Sequence, residues 1–471
     1  SYSLRIREMT TRREFLKKSA MGFGTMALSG VMQNDLLGKT SSPLYPKTPD
    51  FAPKARSVIF LYMDGGVSQV DSFDPKPQLA KEHGQPPKFK VDATVFNNNG
   101  NILKSPWDFH HYGESGMPIS DLFPHIGSCA DDLCIMRSMT AFSPNHPNAN
   151  YALHCGHVLS GRPSMGAWVS YGLGTLSQDL PSYVVIHGGQ VPAGGMQAFG
   201  SGFLPANHSG SIFLPDHPVL NNTTFKESSA EVQKKKLDFL HDIDGDLEAR
   251  MAHAEAIESA IQNYELAFKM QMEVPDVANI DNESEATKKL YGLDAPYKNT
   301  RAYAGQCLMA RRLVERGVRF VELTINPGNG DRWDQHSKLI DGHQKNAMAV
   351  DQPIAGLIKD LKSRGLLDST LLVFSGEFGR TPFAQGTNGR DHNPQGFSMW
   401  MAGGGIKGGT IYGATDEYGY RVVANKMTVH DMHANMLHLL GIDFHNLTYR
   451  YSGRDIRLTD VHGEIIPEIL A

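Results

Sequence analysis

Short apolar runs of strand length, each followed directly by polar residues, recur along this 471-residue chain and constrain its fold more than any other feature. The first run occupies residues 57–63, SVIFLYM, and stops at Asp64-Gly65-Gly66. Comparable runs occupy residues 133–136, 183–186, 318–325, 370–374 and 397–401. Continuous apolar runs of this length predict strands that are buried on both faces of a sheet.

Helical patterns lie between several of the predicted strands. Residues 301–316 have helical apolar spacing and end before Gly317, and residues 351–364 form an amphipathic pattern that ends before Gly365. Glycine is common immediately after a helix because it adopts the left-handed backbone conformation without strain. Strands that alternate with helices predict an α/β fold with a mainly parallel sheet covered on both faces. Ligands of such sheets bind at the carboxyl ends of the strands.

The composition changes along the chain and predicts how it is organised. Residues 1–31 contain Arg12-Arg13, then FLK and a weakly apolar stretch, which resembles a twin-arginine export signal and predicts a periplasmic or extracellular location. An ordinary basic amphipathic start is the alternative. Residues 32–55 are rich in Pro, Ser and Lys and are predicted to be a linker. The domain then spans residues 56–471, with a charged helical insertion at about 230–295.

Charge and cysteine usage exclude some classes of protein. The formal net charge is -5 and Lys and Arg are scattered, so nucleic acid is not expected as a partner. The apolar stretch at residues 20–31 is too short to span a membrane, and no integral membrane span is expected in the mature chain. The four cysteines have no metal-binding spacing and are expected to be buried free thiols, with a Cys129–Cys134 disulfide as the alternative.

Four clusters of polar residues fall at or just after predicted strand ends. They supply carboxylates and imidazoles, which suit Zn²⁺, Mn²⁺ or a similar divalent ion better than iron–sulfur or copper–thiolate chemistry. In chain order, their charged and imidazole members include Asp64, Asp71 and Asp74; His146; Asp331, Asp334 and His336, with His343 nearby; and Glu377, Arg390, Asp391 and His392.

Each metal candidate also has a plainer explanation. Asp64 precedes two glycines and could simply order a turn. Asp334 and His336 are two residues apart, so in extended backbone they point the same way, which favours a role as ligands. His392 lies in a predicted glycine-flanked loop and is interpreted as a ligand, with a turn and a satisfied histidine as the alternative.

A further histidine pair is interpreted as structural. HDMH, residues 430–433, opens an amphipathic pattern, and Thr428 or His430 is expected near the N-cap of that helix. The pair therefore predicts a helix start rather than a metal site.

In this order, the clusters resemble those of the alkaline phosphatase and sulfatase superfamily. The chain is more similar still to a twin-arginine-exported, sulfatase-like family of unknown function. The resemblance implies an alkaline-phosphatase-like three-layer α/β/α sandwich with a mainly parallel sheet, and a divalent metal ion, whether Zn, Mn, Ca or Mg. The motifs that carry it are RREFLK, YMDGGVSQVDSFDPKP, SGRPSMGAWVSYGLG, GSGFLPANHSGSIF, RWDQH, FSGEFGRTP, GRDHNPQGFSMWMAGGGIKGG and LTYRYSGRDIRLTD.

The superfamily has two adjacent metal sites, and the resemblance carries over to particular residues. Asp64 matches the first-strand aspartate of one site, whereas Asp334, His336 and His392 are similar to the Asp, His and His of the other. Glu377 stands where the superfamily has the aspartate of an Asp-His pair, so it is a further expected metal ligand. Phe378 replaces the histidine of that pair and cannot coordinate an ion.

The nucleophile position is also altered. The superfamily places a Ser, Thr or formylglycine nucleophile at the start of a helix that ends in a small-residue turn about ten residues later. The matching turn here is Cys155-Gly156, and ten residues back lies His146, which is the expected catalytic residue as nucleophile or base. Histidine cannot become formylglycine, which excludes standard sulfatase chemistry. Candidate substrate-binding residues are Asn148, Arg380 and Arg390.

Two functions follow from the resemblance. The first is an exported, metal-dependent hydrolase of phosphate or sulfate esters, acting on small molecules or glycans, with an atypical active site. The second is a non-catalytic, metal-containing binding or structural protein of the cell envelope that keeps the sulfatase-like fold.

Overall fold

The computed structural model describes residues 44–177, 179–214, 276–325 and 332–471. The predicted export signal at residues 1–31 and most of the predicted insertion at residues 230–295 lie outside these ranges. Strands in the described part of the chain are β1 (Ser57–Tyr62), β2 (Asn99–Ile102), β3 (Phe109–Tyr112), β4 (Met117–Ser120), β5 (Leu133–Thr140), β6 (Tyr183–Ile186), β7 (Ser211–Phe213), β8 (Phe320–Thr324), β9 (Thr370–Ser375), β10 (Gly379–Gln385), β11 (Gly389–Asn393), β12 (Phe397–Ala402), β13 (Thr410–Tyr412), β14 (Ala414–Thr415), β15 (Val422–Ala424), β16 (Met427–Thr428), β17 (Tyr449–Tyr451) and β18 (Arg454–Ile456).

Helices cover both faces of the main sheet. In the same described ranges they are α1 (Gln69–Ser72), α2 (Pro77–Lys81), α3 (Pro124–Gly127), α4 (His146–Cys155), α5 (Met165–Leu173), α6 (Glu285–Tyr291), α7 (Lys298–Glu315), α8 (Leu339–Ser363) and α9 (Val429–Leu439). Short 3₁₀ helices occupy Ala130–Asp132, Met196–Phe199, Ala206–His208, Ile280–Asn282, Leu367–Ser369 and Pro467–Ile469.

A nine-stranded sheet forms the centre of the fold. Its order is β13-β5-β12-β9-β1-β8-β6-β7, with β16 beside β5. Neighbouring strands pair in parallel except at β12, which runs antiparallel to both β9 and β5. The six predicted strands all lie in this sheet. The predicted mainly parallel sheet is therefore confirmed.

Alternate residues of β1 pack on opposite faces of the sheet, which explains why the whole strand is apolar. Ile59 and Leu61 belong to the core that contains residues of α7 and α8, whereas Val58 and Phe60 belong to the core that contains residues of α5 and α9. Complete burial of one such side chain contributes roughly 1.5–3 kcal/mol to folding. The sheet between two helical layers is the predicted three-layer α/β/α sandwich.

One predicted helix is longer than its pattern indicated. The helix predicted at residues 351–364 belongs to α8, which begins at Leu339 and contains Pro353 in its interior. Proline is common in the first turn of a helix, so the sequence favoured a start near residue 351. The amphipathic face continues on both sides of Pro353, and burial of Val350 and Ile354 holds the two parts in one helix.

The HDMH segment lies at the start of α9, as predicted. Thr428 is the N-cap, and its side chain and that of Asp431 form a capping box. His430 Nε2 lies 2.8 Å from the Gly156 carbonyl oxygen and His433 Nε2 lies 2.7 Å from that of Leu153. The four cysteines are buried free thiols, as expected. Among the described helices, none combines the length and apolar composition that a membrane crossing requires.

Candidate metal centre

Three histidines and one aspartate converge beyond the carboxyl ends of the central strands. One ligand atom from each of His146, Asp334, His336 and His392 lies within 4.8 Å of all the others, and we call these residues the four-residue group. His146 Nε2 lies 3.1 Å from Asp334 Oδ2, and His336 Nε2 lies 2.9 Å from Asp334 Oδ1. His392 Nε2 lies 3.2 Å from Asp334 Oδ1 and 3.0 Å from His336 Nε2. The structure thus brings together four of the residues singled out in the sequence.

His146 reaches this edge because it begins a helix. It is the first residue of α4, Pro147 follows it, and Gly156 ends the helix with φ 66° in the left-handed region. Proline suits the first turn because its missing N–H has no acceptor there. The helix therefore begins at His146 and ends before Gly156, as the resemblance implied for the helix that starts at the nucleophile position.

Asp334 and His336 lie in the loop that leads into α8, and this loop packs against the glycines after β1. A Cβ atom on Gly65 would lie 2.7 Å from the backbone nitrogen of Trp333 and 2.8 Å from that of Asp334. Gly65 also has φ +109°, a conformation that side chains with a Cβ disfavour. The glycine after Asp64 therefore allows the Asp334 loop to approach β1 closely.

His392 lies on a strand, so the prediction of a loop at this position is wrong. It belongs to β11, where it pairs with Arg380 of the antiparallel strand β10. The segment GRDHN has no apolar run to indicate a strand. Pairing with β10 and burial of all five residues, which depend on the tertiary structure, stabilise it instead.

All three imidazoles of the group are held through Nδ1. Their partners are oxygen acceptors, so each neutral imidazole donates from Nδ1–H and directs an unprotonated Nε2 into the group. This is how metal-binding histidines are held in proteins. The pairs are His146 with Glu377 Oε1 at 2.5 Å, His392 with the Pro144 carbonyl oxygen at 2.5 Å, and His336 with Gln385 Oε1.

Glu377, a predicted metal ligand, lies behind His146 and outside the four-residue group. Its carboxylate is completely buried between β9 and β10, and its two oxygens accept from the backbone N–H of Gly65 at 3.0 and 3.1 Å. Phe378 packs its ring against the imidazoles of His146 and His392, with centroids 4.8 and 4.5 Å away. Both residues therefore orient the histidines.

Asp64, also predicted as a ligand, lies outside the group as well. Its Oδ1 accepts from the Tyr62 hydroxyl at 2.9 Å, and its Oδ2 pairs with the guanidinium of Arg332. Burial and the nearby Glu377 raise the pKa of Asp64 to about 6, although Arg332 and Tyr62 oppose this shift. The carboxylate at the end of β1 is thus neutralised by an arginine.

Hydrogen bonding sets the protonation of the group when no ion is bound. Burial acts to raise the pKa of Asp334, but the three imidazoles around its carboxylate and the charge of Arg380 hold that pKa far below its usual range. Burial acts to lower the pKa of His146, but Asp334 and Glu377 outweigh it and raise the pKa to about 9. Burial lowers the pKa of His392 to about 4. Between His146 and His392, the proton is therefore held by His146.

Two of the predicted substrate-binding residues support the walls of the site. Asn148 lies on α4, and its side-chain amide donates to the Val158 carbonyl oxygen at 3.0 Å. Arg380 is completely buried and donates to Asp334 Oδ1 at 2.5 Å and to the Gly66 carbonyl oxygen at 3.1 Å. Arg380 thus fixes Asp334 in place.

Arg390, the third of these candidates, is engaged in the interior. Its guanidinium donates two hydrogen bonds to Asp71, at 2.7 and 3.0 Å, and further ones to the carbonyl oxygens of Thr381 and Leu103. Arg390 and Asp71 are both completely buried. In this arrangement the buried contacts of Arg390 hold β11 in place.

Two further polar residues, Arg332 and His187, were not identified as candidates from the sequence. Arg332 precedes Trp333 in the RWDQH motif, so its closeness to Asp334 was available as a signal, but its pairing with Asp64 was not. His187 directly follows the predicted strand at 183–186, which was the same signal that identified Asp64.

The side chains of the group fit a divalent ion. At zinc–ligand distances of about 2.0–2.2 Å, neighbouring ligands of a tetrahedral ion lie roughly 3.3–3.6 Å apart. Four contacts within this group measure 2.9–3.2 Å, and its ligand atoms all lie within 4.8 Å of one another. His146 Nε2 is buried and faces Asp334 Oδ2 at 3.1 Å. Three imidazoles and a carboxylate are the donors that zinc prefers.

Fold and site together define a three-layer α/β protein with a candidate histidine-rich metal centre at the carboxyl edge of its sheet. The chain belongs to the family described as Protein of unknown function (DUF1501), whose model matches residues 55–470. This confirms the predicted membership of a family of unknown function. No curated protein matches the sequence.

Several solved structures are similar over most of the chain at low identity. A PsFucS1 sulfatase from Pseudoalteromonas sp. is 13% identical, with a TM-score of 0.36, 91% of this chain and 72% of that chain covered. The lipoteichoic acid synthase LtaP from Listeria monocytogenes is 9% identical, with a TM-score of 0.37 and 90% and 79% covered. The alkaline phosphatase of the Antarctic bacterium TAB5 is 9% identical, with a TM-score of 0.35 and 83% and 100% covered.

Proposed function

We propose that this protein is an exported, metal-dependent hydrolase of phosphate or sulfate esters on small molecules or glycans, which works without a Ser, Thr or Cys nucleophile. Asp334, His336 and His392 would hold one divalent ion. His146, paired with Glu377, would transfer the proton. The observation that carries the proposal is the convergence of three Nε2 atoms on one carboxylate, with each Nδ1 held by an acceptor.

Three protein ligands suit a catalytic site because they leave a coordination position open. A divalent ion held there supplies Lewis-acid polarisation of an ester oxygen and lowers the pKa of a nearby water molecule. The two imidazoles favour Zn²⁺ or Mn²⁺ over Ca²⁺ and Mg²⁺, which prefer oxygen ligands.

His146 has the contacts of a general base. Its Nδ1 donates to the buried carboxylate of Glu377, which fixes the tautomer and stabilises the imidazolium once a proton has been accepted. Its Nε2 faces the group, where it can accept a proton from water and return it to a leaving group. The side chains of His146, Asp334 and His336 keep exposed fractions of 17%, 29% and 24%, so a substrate can approach them.

One observation favours the second function, a non-catalytic metal-containing protein of the cell envelope. His146 Nε2 lies as close to Asp334 as the other two imidazoles do, so all four residues can bind one ion. Four protein ligands complete a tetrahedral zinc site and leave no open position, as in structural sites. The two functions therefore differ in the role of His146.

Metal analysis of the purified folded protein, combined with hydrolysis assays on phosphate and sulfate esters, tests the proposal. His336→Ala and His392→Ala are expected to lose both the ion and hydrolysis. His110→Ala, at an exposed histidine outside the group, is expected to keep both. His146→Gln decides between the two functions, because the enzyme keeps its ion and loses hydrolysis, whereas a four-ligand structural site loses the ion.

Two results would overturn the hydrolase. The first is a folded wild-type protein that binds no divalent ion. The second is a His336→Ala variant with unchanged ion content and unchanged activity. An ion-loaded wild-type protein that hydrolyses none of the esters supports the binding or structural function instead.

A further inference from the structure

The guanidinium of Arg332 lies beside the four-residue group but is not saturated by the contacts of the described residues. It pairs with Asp64 Oδ2 and donates to the Val191 carbonyl oxygen, and a guanidinium has five N–H donors. Its side chain keeps an exposed fraction of 15%, whereas that of Arg380, the other arginine at the group, is completely buried. Arg332 is therefore the arginine at the group that retains access to a bound molecule.

His187 is a second donor in the same region. It directly follows β6, and only 7% of its surface is exposed. Its Nδ1 accepts from the backbone N–H of Gly189 at 3.1 Å. The ring proton therefore resides on Nε2, which is buried and has no hydrogen-bond partner in the described part of the chain. A buried donor without an acceptor is destabilising, and an incoming acceptor would remove this cost.

Arg332 and His187 are electrostatic neighbours. Burial lowers the pKa of His187, and the positive charge of Arg332 lowers it further. The contact of Arg332 also places it here, because its guanidinium donates to the carbonyl oxygen of Val191 in the loop that His187 begins after β6. The loop after β6 thus brings an imidazole donor into the neighbourhood of the guanidinium of Arg332, which lies two residues before Asp334 and pairs with Asp64.

We propose that Arg332 and His187 form an oxyanion-binding position that holds the tetrahedral phosphate or sulfate group of the substrate next to the single ion of the centre. This inference rests on the proposed function, because it names the substrate group that the same site recognises. The planar guanidinium presents parallel N–H donors, which match two oxygens of such a group. Nε2–H of His187 supplies a further donor.

The same geometry implies one ion for each chain. The pairing of Arg332 with Asp64 neutralises the carboxylate at the end of β1, and the carboxylate of Glu377 is occupied by His146 and Gly65. Neither carboxylate is then available to a second cation.

Calorimetric binding of inorganic phosphate and inorganic sulfate to the ion-loaded full chain, with ion content measured on the same samples, tests the inference. Wild-type protein is expected to hold one ion per chain. Arg332→Gln is expected to bind the preferred anion at least about tenfold more weakly at unchanged ion content, since one charged hydrogen bond contributes about 1.5–3 kcal/mol. His187→Phe, which keeps the ring and removes the donor, is expected to weaken binding in the same way.

Arg332→Lys and Arg421→Gln complete the experiment. Arg332→Lys keeps the positive charge but loses the paired N–H donors of the guanidinium, so its anion affinity is expected to lie between those of wild type and Arg332→Gln. If Arg332→Gln does not fold, Arg332→Lys is measured in its place. Arg421 is exposed and paired with Asp92, so Arg421→Gln is expected to leave anion binding unchanged. The anion that binds more tightly identifies the ester class.

The failures of the two proposals are distinguishable. Two ions per chain, or wild-type anion affinity in both Arg332→Gln and His187→Phe, overturns the oxyanion position while the hydrolase remains. A folded wild-type chain without any ion overturns the hydrolase itself.

Discussion

The carboxylate of Glu377 and the imidazole of His146 form a pair in which Oε1 accepts from Nδ1 at 2.5 Å. The same carboxylate accepts from the backbone N–H of Gly65, so it connects the end of β9, the turn after β1 and the start of α4. A carboxylate completely buried at this junction is costly unless such donors satisfy it. Glu377 therefore completes the site without being a member of the four-residue group.

Glu377→Gln tests whether this carboxylate tunes His146. Glutamine keeps an oxygen for Nδ1–H but removes the charge that helps to raise the pKa of His146 to about 9. We expect the His146 pKa of the ion-free protein to fall, and activity to fall about 10–100-fold, which is typical for loss of a supporting residue around a metal ligand or catalytic histidine. An NMR titration of the imidazole signals, with signals assigned through His146→Gln, measures the pKa.

The raised pKa of His146 makes the stability of the ion-free protein depend on pH. A protonated His146 stabilises the ion-free fold below pH 6.5, and this stabilisation is lost as the pH rises through about 9 in the wild type. In Glu377→Gln it should be lost at lower pH. An unchanged His146 titration would show that the pair has no electrostatic role.

Much of the fold could be predicted because its strands are buried on both faces. Residues 57–62 of β1 contact helices on both sides of the sheet, so the strand is apolar throughout and visible in the sequence. The ends of α4 were accessible for a similar local reason, since Pro147 and Gly156 mark them. By contrast, β11 and the first half of α8 depend on packing against distant parts of the chain.

Residues of the candidate site could be predicted where a polar cluster follows a predicted strand, because the ends of parallel strands meet at one edge of the sheet. His146, Asp334, His336 and His392 belong to clusters at or just after predicted strand ends, the resemblance to the superfamily gave them their roles, and they converge in the structure. The sequence could not distinguish ligands from the residues that hold them, because Glu377 and Asp64 occupy equivalent strand ends. Whether such a carboxylate faces an ion, a histidine or an arginine depends on contacts between residues far apart in the chain.

Arg390→Ala tests whether Arg390 holds the fold or a substrate. Removal of the guanidinium leaves Asp71 buried without its partner, and breaking a buried ion pair on one side costs about 3–5 kcal/mol. Arg450→Ala breaks the exposed pair with Asp455 and is expected to cost at most about 1 kcal/mol. Urea unfolding measures both. Wild-type stability in Arg390→Ala, combined with weakened substrate binding, would restore its predicted substrate-binding role.

Gly65→Ala tests whether the turn after β1 places Asp334. The added Cβ would lie 2.7 Å from a backbone nitrogen and would adopt an unfavourable positive φ, so we expect lower stability and loss of the bound ion. Gly84→Ala is the matched control, because Gly84 also has positive φ, at +80°, but no atom lies within 4 Å of its added Cβ. The control should lose only about 1–2 kcal/mol and keep its ion. Equal effects in both variants would mean that close packing at Gly65 contributes nothing.

His208 is expected to make the protein sensitive to acid, independently of the metal centre. Ser170 lies 2.8 Å from His208 Nδ1 in the core beneath α5, and burial, with the charge of Lys47, lowers the pKa of His208 to about 3. An unfolded histidine titrates near pH 6.5, so between pH 6.5 and 3 the unfolded chain binds one more proton at this residue. The stabilisation is complete above pH 6.5 and is lost as the pH falls, by about 1.4 kcal/mol per pH unit.

Urea unfolding of wild type and His208→Gln between pH 7 and pH 4 measures this contribution. Glutamine does not titrate, so the dependence of the free energy of unfolding on pH should be weaker in the variant by about 1.4 kcal/mol per unit. His110→Gln, which removes a histidine whose side chain is 56% exposed and keeps His208, is the control. Parallel curves for wild type and His208→Gln would mean that His208 has the same pKa in the folded and the unfolded chain. Burial beside Ser170 would then not lower the pKa of His208.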